Sequence, residues 1–313
     1  MSTSYPKPIV VIAARAHEIL TSKLKQGGYE VNMLTPANGE EWNNAIAKAA
    51  GIVVASGIRI DEVFLSQASQ LRWIARLGSG MELIDVEAAE AKGIKVYSSP
   101  EGNANSVGEH ALGMLLSLMH KIISSSREVI NHQWIREANR GTELSGKTVG
   151  IIGFGNTGRA FANVLRGFNV TILAYDKYQF GFGNEWIKEA SLDQVLRYSH
   201  VVSIHLPLNQ ETFHYANKDF FNKMKERPII INTSRGEILD TRALIEALEN
   251  HQVRGAALDV LENEDLGSYT PRETEILIRL LDKPEILVTP HIAGYSHEAF
   301  YHMSRIIADK LEL

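Results

Sequence analysis

The 313-residue sequence contains no cysteine. This absence excludes a disulfide framework, a thiolate nucleophile and any metal centre with cysteine ligands. Basic residues are not in excess either, because 32 lysines and arginines stand against 37 aspartates and glutamates, for a formal net charge of −5. A protein that binds nucleic acid usually carries a basic patch. We therefore predict no nucleic-acid partner, and we predict no metal site.

A long hydrophobic run is absent as well. The longest apolar stretch, residues 111–119 (ALGMLLSLM), is far shorter than a membrane-spanning helix. The N-terminal segment lacks the basic region of a signal peptide, and its apolar core at residues 9–14 is short. These features predict a soluble, cytoplasmic protein with no membrane partner.

Short β-branched runs alternate with longer helical patterns along the chain, which is typical of parallel sheets covered by helices. The length suits two domains. Five runs precede residue 100 and six follow residue 147, and six is the strand count of a complete dinucleotide-binding sheet. The runs are 8–14, 30–34, 51–56, 71–77, 94–99, 148–154, 170–176, 200–206, 228–234, 255–260 and 285–291.

The segments between and after these runs complete the predicted organisation. Residues 105–130 are predicted to form one long helix rich in Leu and Met, and residues 297–313 a closing helix. The segments predicted as loops are 136–147, 177–186 and 261–274.

The segment TVGIIGFGNTGRAFANVLRGF contains the pattern G-x-G-x-x-G at Gly153, Gly155 and Gly158. The pattern follows an apolar strand and opens a helix, which is the context that a dinucleotide-binding fingerprint requires. Gly153 permits a tight turn, Gly155 lets backbone approach the pyrophosphate, and Gly158 lets the helix pack closely on the strand. The helix start then offers free N–H groups to the phosphates.

Asp176 ends the next strand, about 20 residues past the glycines, where a carboxylate holds the ribose hydroxyls and repels a 2′-phosphate. This position predicts NAD rather than NADP, although the adjoining Lys177 softens that preference. His205 also ends a strand near the expected adenosine half and is predicted to be a wall of the cofactor pocket. The predicted cofactor-binding set further contains Asn156, Thr157 and Pro207.

Three further side chains, those of Arg235, Glu264 and His291, lie at or after the ends of strands. Arg235 is in a loop at the carboxyl end of a strand, where ligands bind in open α/β sheets and where an arginine can grip a carboxylate. Asp240 is predicted to cap the helix that follows. Glu264 and His291 follow the next two strands. Taken singly, each of these residues is more often an ordinary loop residue than a catalytic one.

Together these segments resemble the D-isomer-specific 2-hydroxyacid dehydrogenase family over nearly the whole chain. The match is weakest at 261–284, where residues 269–284 are expected to form an added helix. The matching segments are LGSGMELID (77–85), NSVGEHALGMLL (105–116), GIIGFGNTGRAFA (150–162), INTSRGEILDTRALIEAL (231–248), ALDVLENE (257–264) and TPHIAG (289–294).

The resemblance implies a role for each matching residue. His291 corresponds to the catalytic acid and base, Glu264 to the carboxylate paired with it, and Arg235 to the arginine that holds the substrate. The implied chemistry is NAD-dependent interconversion of a D-2-hydroxy acid and its 2-oxo acid, in which a histidine exchanges the hydroxyl proton. Positions near the nicotinamide are Thr233, Ser234 and Asp259, and the substrate-carboxylate loop contains Ser79 and Gly80.

The choice of substrate rests on two arginines of the first domain. Arg76 stands where phosphoglycerate dehydrogenases place a cation, and Arg59 lies near a neighbouring loop, which favours the doubly anionic 3-phosphoglycerate and a place in serine biosynthesis. Met81 and Glu82 depart from the usual residues, and Glu82 would oppose a phosphate charge. Glyoxylate or hydroxypyruvate reduction is the alternative, in which both arginines are ordinary surface residues.

The architecture implied by the resemblance is a Rossmann NAD domain inserted into a flavodoxin-like substrate domain, both doubly wound parallel sheets. The substrate domain would comprise residues 1–100 and 294–313, and the NAD domain 101–293. The apolar helix at 105–122 would pack in a homodimer. A non-catalytic NAD-sensing regulator on the same scaffold is the rival function.

Overall fold

The computed structural model describes residues 6–35 and 39–313, which form two compact units. The described residues within Met1–Ala104 form the first unit together with Tyr295–Leu313, and Asn105–Gly294 form the second. The second unit is therefore inserted, in sequence, between the two parts of the first.

The first unit contains a sheet of five parallel strands in the order β2-β1-β3-β4-β5. This is the 2-1-3-4-5 order of flavodoxin-like folds. Each of the five predicted runs overlaps one strand, so the predicted strands are confirmed, although β3 begins two residues before its run. The strands are β1 (Ile9–Ile12), β2 (Glu30–Met33), β3 (Ala49–Val54), β4 (Trp73–Arg76) and β5 (Lys95–Ser98). The helices are α1 (Glu18–Gln26), α2 (Glu40–Lys48), α3 (Glu62–Gln67), α4 (Val86–Ala91) and α12 (His297–Lys310), and α5 (Pro100–Met119) contains the division between the units.

Close packing explains how this sheet is built. All six residues of β3 are buried, and a Cβ atom at Gly51 would lie 2.1 Å from the ring of Trp73 on the neighbouring strand. The closing helix α12, which confirms the sequence prediction, packs on α1. The backbone N–H of His17 donates to Ser304 Oγ at 3.0 Å and fastens the two helices together.

The second unit contains seven parallel strands in the order β12-β11-β10-β9-β6-β7-β8. If β6 is numbered 1 and the later strands follow in sequence, the order from the β8 edge is 3-2-1-4-5-6, as in the Rossmann fold, and β12 is one further strand. The strands are β6 (Thr148–Ile152), β7 (Thr171–Tyr175), β8 (Ile187–Glu189), β9 (Val201–Ile204), β10 (Ile229–Asn232), β11 (Gly255–Leu258) and β12 (Ile286–Val288). The helices are α6 (Ile122–Ile130), α7 (Asn156–Val164), α8 (Leu192–Tyr198), α9 (Lys218–Asn222), α10 (Thr241–Glu249) and α11 (Pro271–Leu281).

Both faces of this sheet are buried, which is why its strands are continuous apolar runs. On β10, Ile229 and Ile231 join one core cluster and Ile230 joins the other. The apolar residues of α5, such as Met114 and Leu115, belong to the same cluster as Ile231. The apolar character of α5 is thus explained by packing within the second unit.

The prediction of one long helix over 105–130 is wrong. The structure has α5 and α6, and the chain turns at Lys121, which adopts a left-handed conformation with φ of 54°. The carbonyl of Met119 accepts a hydrogen bond from the N–H of Thr142 at 2.9 Å, so a contact distant in sequence caps α5. The residues on both sides of the turn have a helix-forming pattern, so the sequence does not indicate the break.

The sheet also has a strand that the sequence did not predict. Strand β8 has three residues, pairs with β7 at the edge of the sheet, and buries only Ile187. It carries too little apolar pattern to be recognised. By contrast, the added helix predicted within 269–284 is confirmed as α11, which begins with a capping box between Thr270 and Glu273.

Candidate active site

The residues predicted for catalysis and cofactor binding in the second unit share one edge of its sheet. All seven strands are parallel, so their carboxyl ends lie together, and the strand order reverses between β9 and β6. Ligands of doubly wound folds bind at such a reversal. The residues that follow strand ends are Gly153 after β6, Asp176 after β7, His205 after β9, Thr233, Ser234 and Arg235 after β10, Asp259 and Glu264 after β11, and His291 after β12.

The glycine loop has the geometry of a phosphate cradle. Gly153 adopts φ of 87°, and a Cβ atom there would lie 2.3 Å from the carbonyl oxygen of His205. A Cβ atom at Gly158 would lie 2.2 Å from the carbonyl oxygen of Gly153, so only glycine lets α7 pack this closely. Around Gly155, by contrast, nothing lies within 4 Å of such an atom. Gly155 precedes α7, and no side chain caps that helix, which leaves its first N–H groups available to an anion.

Asp176 is held in place by the backbone around it. Its Oδ2 accepts the N–H of Phe154 at 2.8 Å, and its Oδ1 accepts the N–H groups of Tyr178 at 2.9 Å and Gln179 at 3.0 Å. A carboxylate has about four acceptor positions, so acceptor capacity remains for a ribose hydroxyl. The carboxylate thus joins the glycine loop to the loop after β7.

His205 lies behind the glycine loop, with its ring in the interior. The residue is 7% exposed, its Nε2 lies 2.8 Å from Ser203 Oγ, and its ring contacts the ring of Phe161. Burial lowers the pKa of His205 to about 3, so the ring is neutral at physiological pH. Its backbone carbonyl, rather than its ring, approaches Gly153. Pro207 is exposed on the loop that follows.

The turn after β10 is fixed by Asn232, a buried residue that sequence reasoning missed. Its side chain accepts the N–H of Ser234 at 3.0 Å and donates to the carbonyl of Arg235 at 2.9 Å. Ser234 Oγ donates to the carbonyl of Ile204 at 2.7 Å and ties this turn to β9. The hydroxyl oxygen of Thr233 is buried and has no hydrogen-bond partner among the described residues.

The loop after β12 is held by the buried carboxylate of Asp259. Its Oδ1 accepts the N–H of Ile292 at 2.9 Å and its Oδ2 accepts the N–H of Ala293 at 2.7 Å. Its Oδ1 also accepts the hydroxyl of Thr289 at 2.6 Å, and its backbone carbonyl accepts the N–H of His291 at 2.7 Å. The Asp259 side chain therefore fixes the loop from both sides of His291.

His110 of α5 supports the same loop and was also missed from the sequence. Its Nε2 lies 3.1 Å from Thr289 Oγ1 and 3.5 Å from the nearer carboxylate oxygen of Asp259. In the sequence, His110 lies in the segment NSVGEHALGMLL, which resembles the family, but the resemblance implies no role for this histidine.

His291 and Glu264 are brought together as a pair. The Nδ1 of His291 lies 2.9 Å from Glu264 Oε2, and the side chains are 42% and 46% exposed. His291 has φ of 55°, an uncommon conformation for a residue other than glycine, which Asp259 maintains. A solvent-accessible imidazole with a carboxylate on one nitrogen can exchange a proton through the other.

Another close pair of a histidine and a carboxylate lies in the same unit. His214 Nε2 is 2.8 Å from Glu262 Oε2, and Glu262 Oε1 accepts the N–H of Thr241 at the start of α10. A Cβ atom at Gly236 would lie 1.9 Å from the backbone of Leu261, so the turn beyond Arg235 packs against the segment that carries Glu262. Asp240 caps α10 as predicted.

The residues predicted to select substrate lie in the first unit. Arg59 follows β3 and is exposed, and Arg76 ends the neighbouring strand β4, with Ser79 and Gly80 just beyond it. The turn is fixed by Ser99, whose hydroxyl accepts the N–H of Gly78 at 3.1 Å. The Nη1 of Arg76 donates to the carbonyl of Leu77. These residues lie at the carboxyl edge of their own sheet.

The observed residues fit a nicotinamide dinucleotide. A bound dinucleotide would use three features of the site. They are the space at Gly155, the uncapped start of α7 and the unpartnered hydroxyl of Thr233. Within residues 6–35 and 39–313, no group of three or more histidine or carboxylate side chains is placed to hold a metal ion. Nor does that part of the chain contain a helix long and apolar enough to span a membrane.

Comparison with known proteins identifies the family. Residues 112–293 match the sequence model of a protein family described as D-isomer specific 2-hydroxyacid dehydrogenase, NAD binding domain. The chain belongs to this family. The resemblance noted in the sequence and the predicted cofactor NAD are thereby confirmed.

Relatives of known identity differ in the substrates that their names give. The hydroxypyruvate reductase of Thermotoga maritima is 34% identical over 274 residues, 87% of each chain. The D-3-phosphoglycerate dehydrogenase of Archaeoglobus fulgidus is 34% identical over 304 residues, 96% of this chain and 56% of the relative. The chain thus spans a little over half the length of the phosphoglycerate dehydrogenases that it matches.

A solved structure of the family shares the fold. The D-lactate dehydrogenase of Aquifex aeolicus, in complex with NAD and lactic acid, superposes with a TM-score of 0.83 at 26% identity, covering 97% of this chain and 94% of the other. This similarity agrees with the two parallel-sheet units and with the predicted fold class.

Proposed function

We propose that the protein is an NAD-dependent dehydrogenase that interconverts a D-2-hydroxy acid and its 2-oxo acid. The observation that carries this proposal is the pair of His291 and Glu264, 2.9 Å apart, on the same sheet edge as the glycine loop and Arg235. Family membership supplies the D configuration.

The pair dictates which nitrogen of His291 moves the proton. Glu264 lies at Nδ1, so a proton held there is donated to the carboxylate and Nε2 is left to exchange with the substrate. In the oxidative direction Nε2 takes the hydroxyl proton, and in the reductive direction it returns a proton to the carbonyl oxygen. Bound NAD supplies the hydride chemistry.

Arg235 is proposed to hold the substrate. Its guanidinium can pair with the carboxylate of a 2-oxo acid in two parallel hydrogen bonds and can stabilise the oxygen at C2 as negative charge develops. The backbone of this turn is fixed by Asn232, so the arginine starts from a defined position. We assign Thr233, Ser234 and Asp259 to the nicotinamide side because they follow neighbouring strands.

For the substrate we propose 3-phosphoglycerate, as the arginines of the first unit suggest. Arg59 and Arg76 follow adjacent strands, and two cations suit an acid with a second anionic group. Hydroxypyruvate or glyoxylate is the second candidate. It is favoured by the match in length to the hydroxypyruvate reductase and by the exposed carboxylate of Glu82 in the loop after β4.

Oxidation of NADH by the purified chain, followed by absorbance, tests these proposals against phosphohydroxypyruvate, hydroxypyruvate, glyoxylate and pyruvate. A preference for phosphohydroxypyruvate that falls in Arg76→Gln or Arg59→Gln, but not in the exposed control Arg72→Gln, would support the first candidate. A preference for an unphosphorylated acid would support the second. Tight NADH binding without turnover of any acid would instead favour a regulator that senses NAD.

The variant His291→Ala separates an enzyme from such a regulator. An enzyme should lose turnover by about 10² to 10⁴-fold, because the proton-exchanging nitrogen is gone, while NADH binding stays within twofold of wild type in a fluorescence titration. Unchanged turnover of the preferred acid would refute the assigned role of His291.

We also propose a homodimer, with α6 and the segment after it as the contact surface. Six large apolar side chains are exposed there: Ile122, Ile123, Val129, Ile130, Trp134 and Ile135. We call this set the α6 patch. A cluster of this kind on a water-soluble enzyme indicates a protein interface.

A further inference from the structure

The loop after Asp176 contains a cation with a distant partner. Lys177 Nζ lies 2.5 Å from Glu211 Oε2, and the hydroxyl of Tyr178 donates to the same oxygen at 2.7 Å. The N–H of Tyr178 in turn donates to Asp176 Oδ1. The ion pair therefore stands directly beside the carboxylate expected to hold the ribose hydroxyls.

Glu211 is presented to Lys177 by a fixed turn after β9. The side chain of Asn209 accepts the N–H groups of Glu211 at 2.9 Å and Thr212 at 3.1 Å. The hydroxyl of Thr212 donates to the carbonyl of Pro207 at 2.6 Å. Because the turn is held at three points, Glu211 reaches the loop after Asp176 from a defined position.

Both partners of the pair are charged at neutral pH. The hydrogen bond from Lys177 lowers the pKa of Glu211 below its ordinary value, and the same bond raises the pKa of Lys177. The side chains are more than half exposed, so the pair contributes little to stability. What distinguishes the pair is its position beside Asp176, the carboxylate expected to hold the ribose hydroxyls.

NADP differs from NAD by a phosphate on the 2′-hydroxyl of the adenosine ribose. Cations near the end of the second strand accommodate that phosphate in enzymes that use NADP. Lys177 has the sequence position for this contact. We propose that Glu211 is a specificity-determining residue for the cofactor, because it holds Lys177 in an ion pair and withholds that cation from a 2′-phosphate.

Arg159 is a second cation near the same loop. Its guanidinium lies 4.7 Å from the centre of the Phe154 ring and donates to Gln179 Oε1 at 2.9 Å. It is left unchanged in every variant below, so its contribution to phosphate binding is a constant background.

The test measures dissociation constants for NADH and NADPH by fluorescence titration, and it rests on the proposed cofactor site. Glu211→Gln frees Lys177, so NADPH should bind about fivefold tighter, as one additional partly screened charge contact provides. NADH, which lacks the phosphate, should change by less than twofold. The gain should shrink as salt is added.

Two further variants make the result specific. Glu246→Gln removes the same charge from an exposed pair with Lys218 elsewhere in the unit, and it should leave NADPH binding unchanged. In the background Lys177→Gln, the change Glu211→Gln should lose most of its effect.

An NADPH gain that persists without Lys177 would overturn the inference, as would no gain in Glu211→Gln while NADH binds normally. Either result would leave the proposed dehydrogenase intact. Failure of the wild-type chain to bind either coenzyme would overturn the proposed function as well.

Discussion

His291 is held through its side chain and its backbone by two different carboxylates. Glu264 contacts the ring and is half exposed, whereas Asp259 is buried and accepts backbone N–H groups on the loop. An exposed carboxylate can be reached by water, so its charge is partly screened. The buried one fixes geometry. Proton exchange and positioning are thus assigned to separate residues.

Asp259→Asn should damage both stability and turnover. The amide can still accept one N–H, but its NH₂ group would face either Ile292 or Ala293 as donor against donor. Leaving one buried N–H unsatisfied costs about 1–3 kcal/mol, and the loop with His291 should lose its fixed position. We expect a lower urea midpoint and at least about a tenfold fall in kcat.

The matched control is Asp265→Asn, which alters an exposed aspartate between β11 and α11. It should leave both the urea midpoint and kcat near those of wild type. If Asp259→Asn behaved like this control, the loop would not depend on the buried carboxylate.

A separate prediction concerns His205 and acid stability. Burial lowers its pKa to about 3, whereas a histidine in an unfolded chain titrates near 6.5. Between these values the unfolded state binds one more proton, so the free energy of unfolding falls as the pH falls, by about 1.4 kcal/mol per pH unit well below 6.5.

His205→Gln removes this one titration while keeping a side chain that can reach Ser203. Urea unfolding of both proteins at several pH values should show a weaker acid dependence in the variant, by up to one proton. Equal slopes for the two proteins would mean that His205 takes up its proton in the folded state.

At the scale of an element, the glycine loop and α7 offer a matched pair of substitutions. Gly158→Ala would place a methyl group 2.2 Å from a backbone oxygen, so α7 must shift, whereas the same change at Gly155 meets open space. We expect Gly158→Ala to lower stability by about 1–3 kcal/mol. Gly155→Ala should keep the melting temperature and weaken NADH binding, because the methyl group occupies space proposed for the pyrophosphate.

Thermal unfolding and NADH titration of both variants check this prediction. Equal losses of stability in the two variants, or undiminished NADH binding by Gly155→Ala, would contradict the assigned roles.

The elements that the sequence predicted are those whose signals are local. Strand β10 is a run of isoleucines buried on both faces, and Asp240 caps α10 through its own side chain. The break between α5 and α6 depends instead on the N–H of Thr142, more than twenty residues beyond the carbonyl that it contacts. Strand β8 forms by pairing with β7 at the edge of the sheet. Neither the helix break nor this strand pairing is indicated by the residues next to it in the sequence.

The same distinction holds for the site. Gly153, Asp176 and His291 were predicted because a motif or the family pattern marks them. His110 acts through a hydrogen bond to the loop after β12, and its own neighbours in the sequence carry no sign of this. Asn232 holds the turn that follows its own strand, and the resemblance implies no role for it. The sequence therefore located the groups proposed for chemistry better than the groups that position them.

At the scale of the whole molecule, the α6 patch predicts the oligomeric state. Ile130 and Trp134 are 73% and 81% exposed. Replacing both with aspartate should convert the proposed dimer into a monomer, because charge would be buried without a partner. Sedimentation equilibrium at micromolar concentration measures the change.

Ile278→Asp, at an exposed apolar residue of α11, is the control and should leave the dimer intact. A wild-type chain that sediments as a monomer would refute the proposed interface.

The hydrogen bond between His17 and Ser304 joins residues 287 positions apart. This separation determines the order in which parts of the chain can fold during synthesis. The second unit is continuous, and all residues of its two core clusters lie within it. One core cluster of the N-terminal sheet includes Ile307 and Ala308 of α12, and α12 is translated only after the inserted unit. During synthesis the surface of α1 that receives α12 therefore stays uncovered longest, and this surface is where we expect chaperones to act on a nascent chain.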